Sequence, residues 1–141
     1  MESKVGPPVE VGPTPGGFRR FIPILGGSVS GSLVTGAVLP GGADYQLVRT
    51  DTLTCADAKY VIETDERELI FVENIGTRTG ILEDLSRIRL ELPVDPSRIY
   101  FRSTPRFETC AARLEILNTS IFVGVGSHLP GAVVVDVFRV N

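Results

Sequence analysis

Short runs of alternating apolar and polar residues, separated by turn residues, recur along most of this chain of 141 residues. The clearest run extends to Thr64 and places on one face Ala56, Ala58, Tyr60 and Ile62. Successive side chains of a β-strand point to opposite faces, so such a run predicts a half-buried strand. About eight strands are predicted, and closing them into a barrel hides their unpaired edges. The pattern therefore predicts an all-β chain that folds as a single antiparallel β-barrel.

Two segments depart from the strand pattern. Between Ile81 and Leu92 the apolar residues recur at the spacing of one helical face, and Pro93 follows. Because an apolar stripe of this period marks an amphipathic helix and proline ends it, one short helix is predicted against the barrel. Residues 1–17 are rich in proline and glycine and are predicted to form a flexible tail, which leaves residues 18–141 as the barrel domain.

Composition and charge exclude several classes of function. The net charge of −3 argues against a nucleic-acid partner, because phosphate binding depends on clustered Lys and Arg. No apolar run approaches the roughly 18 residues needed to span a bilayer, and the N-terminal region lacks a signal-peptide core. One soluble domain in the cytoplasm, without a membrane partner, is therefore expected.

Cysteine and histidine are too few for a disulfide framework or a metal site. Cys55 and Cys110 show no Cys-x-x-Cys spacing and are interpreted as reduced thiols. His128 is the single histidine and lies in a loop by composition, so it is expected to be exposed and no zinc site is predicted. No cofactor is predicted, and no nucleophile with an adjacent base is evident.

A predicted hairpin carries an unusual polar face. A Pro-Gly-Gly turn at residues 40–42 separates the two predicted strands, Ser32–Leu39 and Asp44–Arg49. In the second strand, Asp44 and Gln46 share one face. A strand that only packs would carry aliphatic residues on its inner face, so this face is either a solvated edge or a polar wall.

The same hairpin carries a resemblance to a known family. Its motif is Gly41-Gly42-Ala43-Asp44 with Gln46 and Arg49. Further motifs of the same family follow in order, and they are Asp57-Ala58-Lys59-Tyr60, Asn74-Ile75-Gly76 with Arg78, Tyr100-Phe101-Arg102, Pro105-Arg106-Phe107-Glu108-Thr109, Leu117-Asn118 and Phe122-Val123-Gly124-Val125-Gly126. On these motifs the chain resembles the DUF3237 family, also called UPF0311. The resemblance implies a small β-barrel similar to the allene oxide cyclase-like, or calycin-like, barrels.

Polar residues on the inner face of such a barrel are the candidates for function, because eight strands enclose little more than side chains or one small ligand. With the resemblance, three residues are interpreted as catalytic, namely Asp44, Tyr60 and Arg102. The substrate-binding candidates are Gln46, Arg49, Asn74, Phe107, Glu108, Asn118 and Phe122. Ordinary structural alternatives exist, such as an Arg102–Glu108 ion pair. Arg49 fits only if a bulge alters the alternation that places it opposite Asp44.

Two functions remain open. In the first, a carboxylate moves a proton while Tyr60 and Arg102 stabilise a phenolate or enolate, and the pocket holds a folded substrate for ring closure. The resemblance implies this in part, since some similar proteins belong to natural-product pathways and are implicated in cyclisation or isomerisation. The chain is therefore predicted to be a cofactor-independent cyclase or isomerase of secondary metabolism that acts on a phenolic or polyketide-like small molecule. In the second, the barrel only binds or carries such a molecule.

A homo-oligomer is also predicted. The segment Leu69–Val72 is apolar on both of its strand faces, and Ala132–Val135 is a continuous apolar run. Apolar sheet surface of this kind is commonly buried against a second copy of the same chain.

Overall fold

The computed structural model describes all residues from Met1 to Asn141. It is a closed antiparallel barrel of eight strand positions with two short helices, which confirms the predicted all-β barrel. The strands are β1 (Glu2–Val5), β2 (Val9–Thr14), β3 (Gly17–Ser30), β4 (Thr35–Val38), β5 (Ala43–Thr50), β6 (Leu53–Thr64), β7 (Leu69–Thr79), β8 (Tyr100–Glu108), β9 (Phe122–Leu129) and β10 (Ala132–Arg139). The helices are α1 (Leu82–Arg89) and α2 (Glu115–Thr119). Neither helix is long and apolar enough to cross a membrane.

Two positions of the barrel are each filled by a pair of shorter strands. Along one edge of the long strand β3 lie β1 and β2, and along its other edge lie β4 and β5. The change of partners occurs near Gly26 and Gly27, whose φ angles of 146° and 152° are accessible to glycine and strained for other residues. Because β1 pairs with β10 as well as β3, it closes the barrel.

The N-terminal segment is therefore not a flexible tail, and the prediction for residues 1–17 is wrong. Glu2–Val5 and Val9–Thr14 are strands of the barrel sheet. Pro7 and Pro8 lie in the connection between them, where no ladder hydrogen bond is required. Pro13 lies within β2, which pairs only with β3, so its missing N–H leaves no gap between strands. Proline content indicated disorder, but the prolines occupy the positions that a sheet tolerates.

The apolar core is divided between the two ends of the barrel. The larger cluster includes Ile62, Ile70 and Val72 together with Leu114, which precedes α2, and all four side chains are almost completely buried. At the other end Leu85 and Ile88 of α1 pack on Ile99, which precedes β8, and on Phe101 of β8. Each fully buried side chain of this size contributes about 1.5–3 kcal/mol to folding. The helix predicted over residues 81–92 is confirmed in a shorter form, and the barrel between the two clusters is left for polar groups.

The apolar segment Leu69–Val72 divides between the two faces of β7. Ile70 and Val72 belong to the core, whereas Leu69 and Phe71 are exposed on the outer wall. The outer wall is thus apolar here without being covered by a helix of the same chain.

The predicted homo-oligomer remains a proposal, and an outer patch supports it. Ile75, Val123 and Phe138 are exposed on β7, β9 and β10. Beside this patch Glu73 and Arg106 lie opposite each other on neighbouring strands. We propose that a second copy of the chain covers the patch. A two-fold axis can place Glu73 of one copy against Arg106 of the other, and the reverse. Sedimentation equilibrium at micromolar concentration is expected to show a dimer or larger assembly that Phe138→Glu dissociates, and a monomeric unmodified protein would contradict the proposal.

Candidate functional site

The barrel contains a cavity of about 70 Å³ on the side nearer α1. Period-two alternation along eight strands directs its lining residues inward. The polar residues of these strands that line it are Ser3, Asp44, Gln46, Tyr60, Asn74, Arg78, Ser103 and His128. Among the lining residues only Pro8 and Glu91 are exposed. They mark the mouth of the cavity, between the β1–β2 connection and the end of α1.

Asp44 is held in place by hydrogen bonds to both carboxylate oxygens. Gln46 Nε2 donates to Asp44 Oδ2 at 2.6 Å, and the backbone N–H of Asp57 donates to Asp44 Oδ1 at 2.9 Å. Arg20 Nε in turn donates to Gln46 Oε1 at 2.8 Å. Because arginine only donates, this contact fixes the Gln46 amide with its nitrogen towards Asp44. The Arg20–Gln46–Asp44 chain therefore orients the carboxylate rigidly on the cavity wall.

The protonation of Asp44 and Tyr60 is shifted by burial. Burial raises the pKa of the Asp44 carboxyl above its ordinary value, and the hydrogen bonds from Gln46 and Asp57, with the nearby guanidiniums, oppose this rise. Burial also raises the pKa of the Tyr60 hydroxyl, so this hydroxyl stays protonated at neutral pH. Asp44 is thus a stronger base than an exposed aspartate, and Tyr60 is a permanent hydrogen-bond donor.

Two buried guanidinium groups supply positive charge to the interior. Burial lowers the pKa of Arg78 to about 10, and burial followed by the charge of Arg89 lowers the pKa of Arg20. Arg78 remains protonated at neutral pH because that pKa is still well above 7. Its Nε atom has no hydrogen-bond partner within the chain. Buried charges are normally paired, so an unpaired guanidinium in the interior is unusual.

Unpaired polar atoms concentrate in this one cavity. Five buried side-chain atoms without a partner line it, and they are Asn74 Oδ1, Arg78 Nε, Ser103 Oγ, His128 Nδ1 and His128 Nε2. Asp84 Oδ2 also lacks a conventional hydrogen bond, but it lies 3.0 Å from Arg98 Nε in an ion pair, so we do not count it as unpaired. Since buried polar groups are almost always satisfied by protein, water or ligand, their concentration indicates that this cavity receives bound water or a polar ligand.

His128 lies inside the barrel, so the prediction that it is exposed is wrong. Its side chain is 9% exposed, because the Gly124, Gly126, His128 alternation of β9 faces inward. Its Nε2 is 3.7 Å from Glu91 Oε2, which is longer than a hydrogen bond. Burial, with the positive charge of Arg78, lowers the pKa of His128, and the Glu91 carboxylate opposes this. His128 is therefore a neutral imidazole at neutral pH.

The pH dependence of stability is expected to report this histidine. Because folding lowers the pKa of His128, the unfolded chain binds this proton more readily below the ordinary pKa of about 6.5. Its contribution to the free energy of unfolding is therefore full above that pH and falls as the pH drops below it. Urea denaturation from neutral to mildly acidic pH is expected to show a smaller loss in His128→Gln, which leaves Arg20, Arg78 and Glu91 in place. An NMR titration that gave the single histidine an ordinary or raised pKa would contradict the prediction.

Arg102 does not lie in the cavity, and the prediction that it points into the interior is wrong. In β8 the buried residues are Phe101, Ser103, Pro105 and Phe107, so Arg102 faces outward. Its guanidinium carbon lies 5.1 Å from the centre of the Tyr100 ring. The phase of the strand is fixed by Phe101 and Phe107, because each fills the core at one end of the barrel.

The other predicted residues divide between the interior and the outer wall. Asp44, Gln46, Tyr60 and Asn74 are brought together in the cavity. Arg49 is exposed, and its Nε donates to Cys55 Sγ at 3.3 Å. The structure therefore brings together the predicted residues of β5, β6 and β7 that face inward, and their functional roles stay predictions.

Four predicted residues lie away from the polar cavity. Phe107 and Phe122 pack edge to face in the core, with ring centres 5.1 Å apart. Asn118 is bonded to both backbone groups of Thr109, and Glu108 is exposed. All four border an outer groove of about 510 Å³, which is larger than the interior cavity. We favour the interior because the groove contains none of the unpaired buried atoms.

Sequence reasoning missed two cavity residues, Arg78 and Ser103, and it also missed Arg20, which bonds to Gln46 without lining the cavity. Arg78 follows Asn74 and Gly76 at period two, and this alternation was the signal that could have found it. No group of three or more His, Cys, Asp and Glu side chains is arranged to hold a metal ion.

The comparison with known families gives a match over almost the whole chain. A model described as a protein of unknown function, DUF3237, matches residues 1–140. The chain belongs to the DUF3237 family. A UPF0311 protein of Rhodopseudomonas palustris is 43% identical over 140 residues, which cover 99% of this chain and 92% of that relative. A UPF0311 protein of Clostridium acetobutylicum is 38% identical over 125 residues, which cover 89% of this chain and 79% of the relative.

Solved structures extend the likeness from sequence to fold. A conserved protein of unknown function from Rhodopseudomonas palustris has a TM-score of 0.96 at 42% identity, with coverage of 99% of this chain and 92% of that one. An enzyme from Penicillium herquei has a TM-score of 0.69 at 17% identity, with coverage of 99% and 90%. At that identity the similarity to the enzyme shows the DUF3237 barrel fold alone.

Proposed function

We propose that this protein is a cofactor-independent cyclase or isomerase that acts on a phenolic or polyketide-like small molecule. The observation that carries the proposal is the cavity in which Asp44 and Arg78 lie among the unpaired polar atoms. A structural core would not accumulate desolvated groups of this kind, whereas acid–base sites contain them as a rule. The similarity of fold to an enzyme from Penicillium herquei is consistent with catalysis.

In the proposed reaction Asp44 is the general base. It removes the proton from a phenolic or enolic O–H, and the oxygen attacks a carbon–carbon double bond of the same molecule. The proton returns to the other alkene carbon as the C–O bond forms, so that the product is an isomer of the substrate. Atoms and electrons therefore balance without a cofactor.

The cationic groups stabilise the charge that develops on the oxygen. Arg78 takes the role that the sequence gave to Arg102, because it is the arginine that faces the cavity. Arg20 adds to the positive potential through its contact with Gln46. In an interior from which water is excluded, fixed charges of this kind act more strongly than in solution. The protonated Tyr60 hydroxyl, which donates weakly to Met1 Sδ at 3.6 Å, is a further donor that a substrate oxygen would have to recruit from this contact.

The size of the cavity limits what can be enclosed. Its volume of about 70 Å³ is small beside the roughly 300–1,000 Å³ of pockets that hold drug-sized ligands. We infer that the cavity encloses the reacting group, while the rest of a larger substrate extends through the mouth at Pro8 and Glu91.

Ligand binding without catalysis is the second candidate function. Both oxygens of Asp44 already accept hydrogen bonds, which is the arrangement expected of a carboxylate that only orients a ligand. Under this alternative the protein retains or carries the same class of molecule unchanged.

An assay with ortho-prenylated phenols tests the proposal and separates the two candidates. Cyclisation gives a product of equal mass that has lost its ionisable hydroxyl, and chromatography with mass detection resolves it from the substrate. Conversion above the blank is expected for the unmodified protein and for Arg102→Met, whose side chain lies outside. If native mass spectrometry showed bound phenol and the assay showed no conversion, the enzyme proposal would be overturned and the carrier function favoured.

A further inference from the structure

We propose that the molecule bound by this cavity carries a carboxylate, which Arg78, Ser103 and His128 hold as an anion. The inference rests on the proposed function, since it names the substrate class of the same site. In such a substrate the carboxylate lies next to the reacting O–H, so that Arg78 contacts both groups. These three residues come from three consecutive strands of the inner wall, β7, β8 and β9. None of the family or fold comparisons assigns a ligand to them.

The wall around Ser103 is open on both sides. Its neighbour across β7 is Gly76, and its neighbour across β9 is Gly124. Both glycines occupy inward positions, where a Cβ at Gly124 would overlap the Ser103 hydroxyl and a Cβ at Gly76 would crowd the Ser103 Cβ. The Oγ atom is buried without a partner. The two glycines therefore leave the buried Ser103 hydroxyl on the cavity wall with no side chain on either neighbouring strand position.

Arg78 and His128 lie beside this floor. Arg78 is two residues beyond Gly76 on β7, and His128 is four residues beyond Gly124 on β9, so both side chains face the same interior. Arg78 Nε and both ring nitrogens of His128 have no hydrogen-bond partner. Three side chains thus present donors to one space, because a neutral imidazole still carries one N–H.

The charges of the interior are unequal. Arg20 and Arg78 are both protonated, while Asp44 is the only carboxylate deep in the cavity and Glu91 is half exposed at its mouth. Asp44 is already bonded by Gln46 and the Asp57 backbone, and it forms no ion pair with Arg78. Asp44 and Glu91 act on Arg78 only at a distance, and a buried guanidinium without a contact ion pair favours an anion from outside the chain.

A carboxylate fits this donor set better than a single phenolate oxygen. Its two oxygens offer about four acceptor sites in one plane, and they match the planar fork of arginine while leaving lone pairs for Ser103 and His128. Asn74 Oδ1 is an unpaired acceptor on the same wall and suits a hydroxyl on the ligand. The chemical class indicated is therefore a small hydroxylated aromatic or unsaturated acid.

Calorimetric titration with benzoate, benzamide and para-nitrophenol tests the inference. Benzoate is expected to bind the unmodified protein at least about tenfold more tightly than benzamide, which has the same shape without the charge. Arg78→Met is expected to weaken benzoate binding at least about tenfold, Ser103→Ala to weaken it less, and Arg102→Met to leave it unchanged. The thermal midpoint of Arg78→Met is expected to rise, because an unpaired buried charge is removed.

The outcomes below would overturn the inference, and they have different consequences for the proposed function. Equal binding of benzoate and benzamide would show that charge is not recognised. If para-nitrophenol bound and benzoate did not, Arg78 would be assigned to a phenolate, and the cyclase proposal would remain intact. If Arg78→Met fails to fold, unchanged benzoate binding by both Ser103→Ala and Arg78→Lys would overturn the inference. The ortho-prenylated phenol assay decides the proposed function separately.

Discussion

Asp44→Asn is expected to lower the turnover of an ortho-prenylated phenol by about 10²-fold or more while the ligand still binds. The amide has nearly the shape of the carboxylate but cannot take a proton from the substrate. The measurement is the initial rate of cyclisation at saturating substrate, with the dissociation constant obtained by calorimetry. If the protein is a carrier, the same substitution changes affinity alone.

The local hydrogen bonds give this variant a second measurable effect. Asp44 accepts bonds from two donors, and the Gln46 amide cannot turn because Arg20 fixes its oxygen. An asparagine amide nitrogen would face one of those donors, so a loss of about 1–3 kcal/mol in the free energy of unfolding is expected. Circular dichroism with urea measures it and shows whether the variant is folded in the assay.

A matched control and a contrary result complete the test. Asp136→Asn removes an exposed carboxylate from β10 and should leave turnover unchanged. Turnover by Asp44→Asn at the unmodified rate would show that Asp44 is not the base. Glu91 at the cavity mouth would then be the carboxylate to test, since Glu108 is on the outer wall.

Gly27→Ala is expected to cost about 4 kcal/mol or more in the free energy of unfolding. Gly27 pairs with Ser3 of β1, and a Cβ atom there would overlap the backbone carbonyl of Glu2. The φ angle of 152° adds strain for any residue other than glycine. Because β1 closes the barrel and lines the cavity, the substitution should also expose β1 amides to hydrogen exchange. Urea denaturation and amide exchange measured by NMR test both effects.

Gly41→Ala separates backbone strain from the loss of β1. Gly41 also has a positive φ, 109°, but a Cβ atom there meets nothing within 4 Å. It should therefore cost only the strain of about 1–3 kcal/mol. Gly27→Ala and Gly41→Ala could instead lower the free energy of unfolding equally, with the β1 amides still protected from exchange. The barrel would then not depend on the close approach of β1 to Gly27.

The faces of a strand were predictable where regular alternation coincided with a difference in hydrophobicity between the two faces. In β6 the predicted inward set of Ala56, Ala58, Tyr60 and Ile62 is the observed one. In β8 the alternation was equally regular, but Arg102 was assigned to the wrong face. The inward set there contains serine and proline, so hydrophobicity alone did not identify it, and the two phenylalanines that fix the phase are known only from the packed ends.

The sequence by itself determined the barrel and the polar character of Asp44, Gln46, Tyr60 and Asn74, because period-two patterns and turn residues are local properties of the chain. Only the tertiary structure decided that residues 1–17 belong to the barrel, and that Arg78, Ser103 and His128 face Asp44. Strand neighbours far apart in sequence and the phase of each strand follow from closure, which is a property of the whole sheet. A charge in the sequence reveals nothing about whether the fold provides it with a partner. The unpaired guanidinium of Arg78, on which the proposed site depends, was therefore visible only after the strands had been placed side by side.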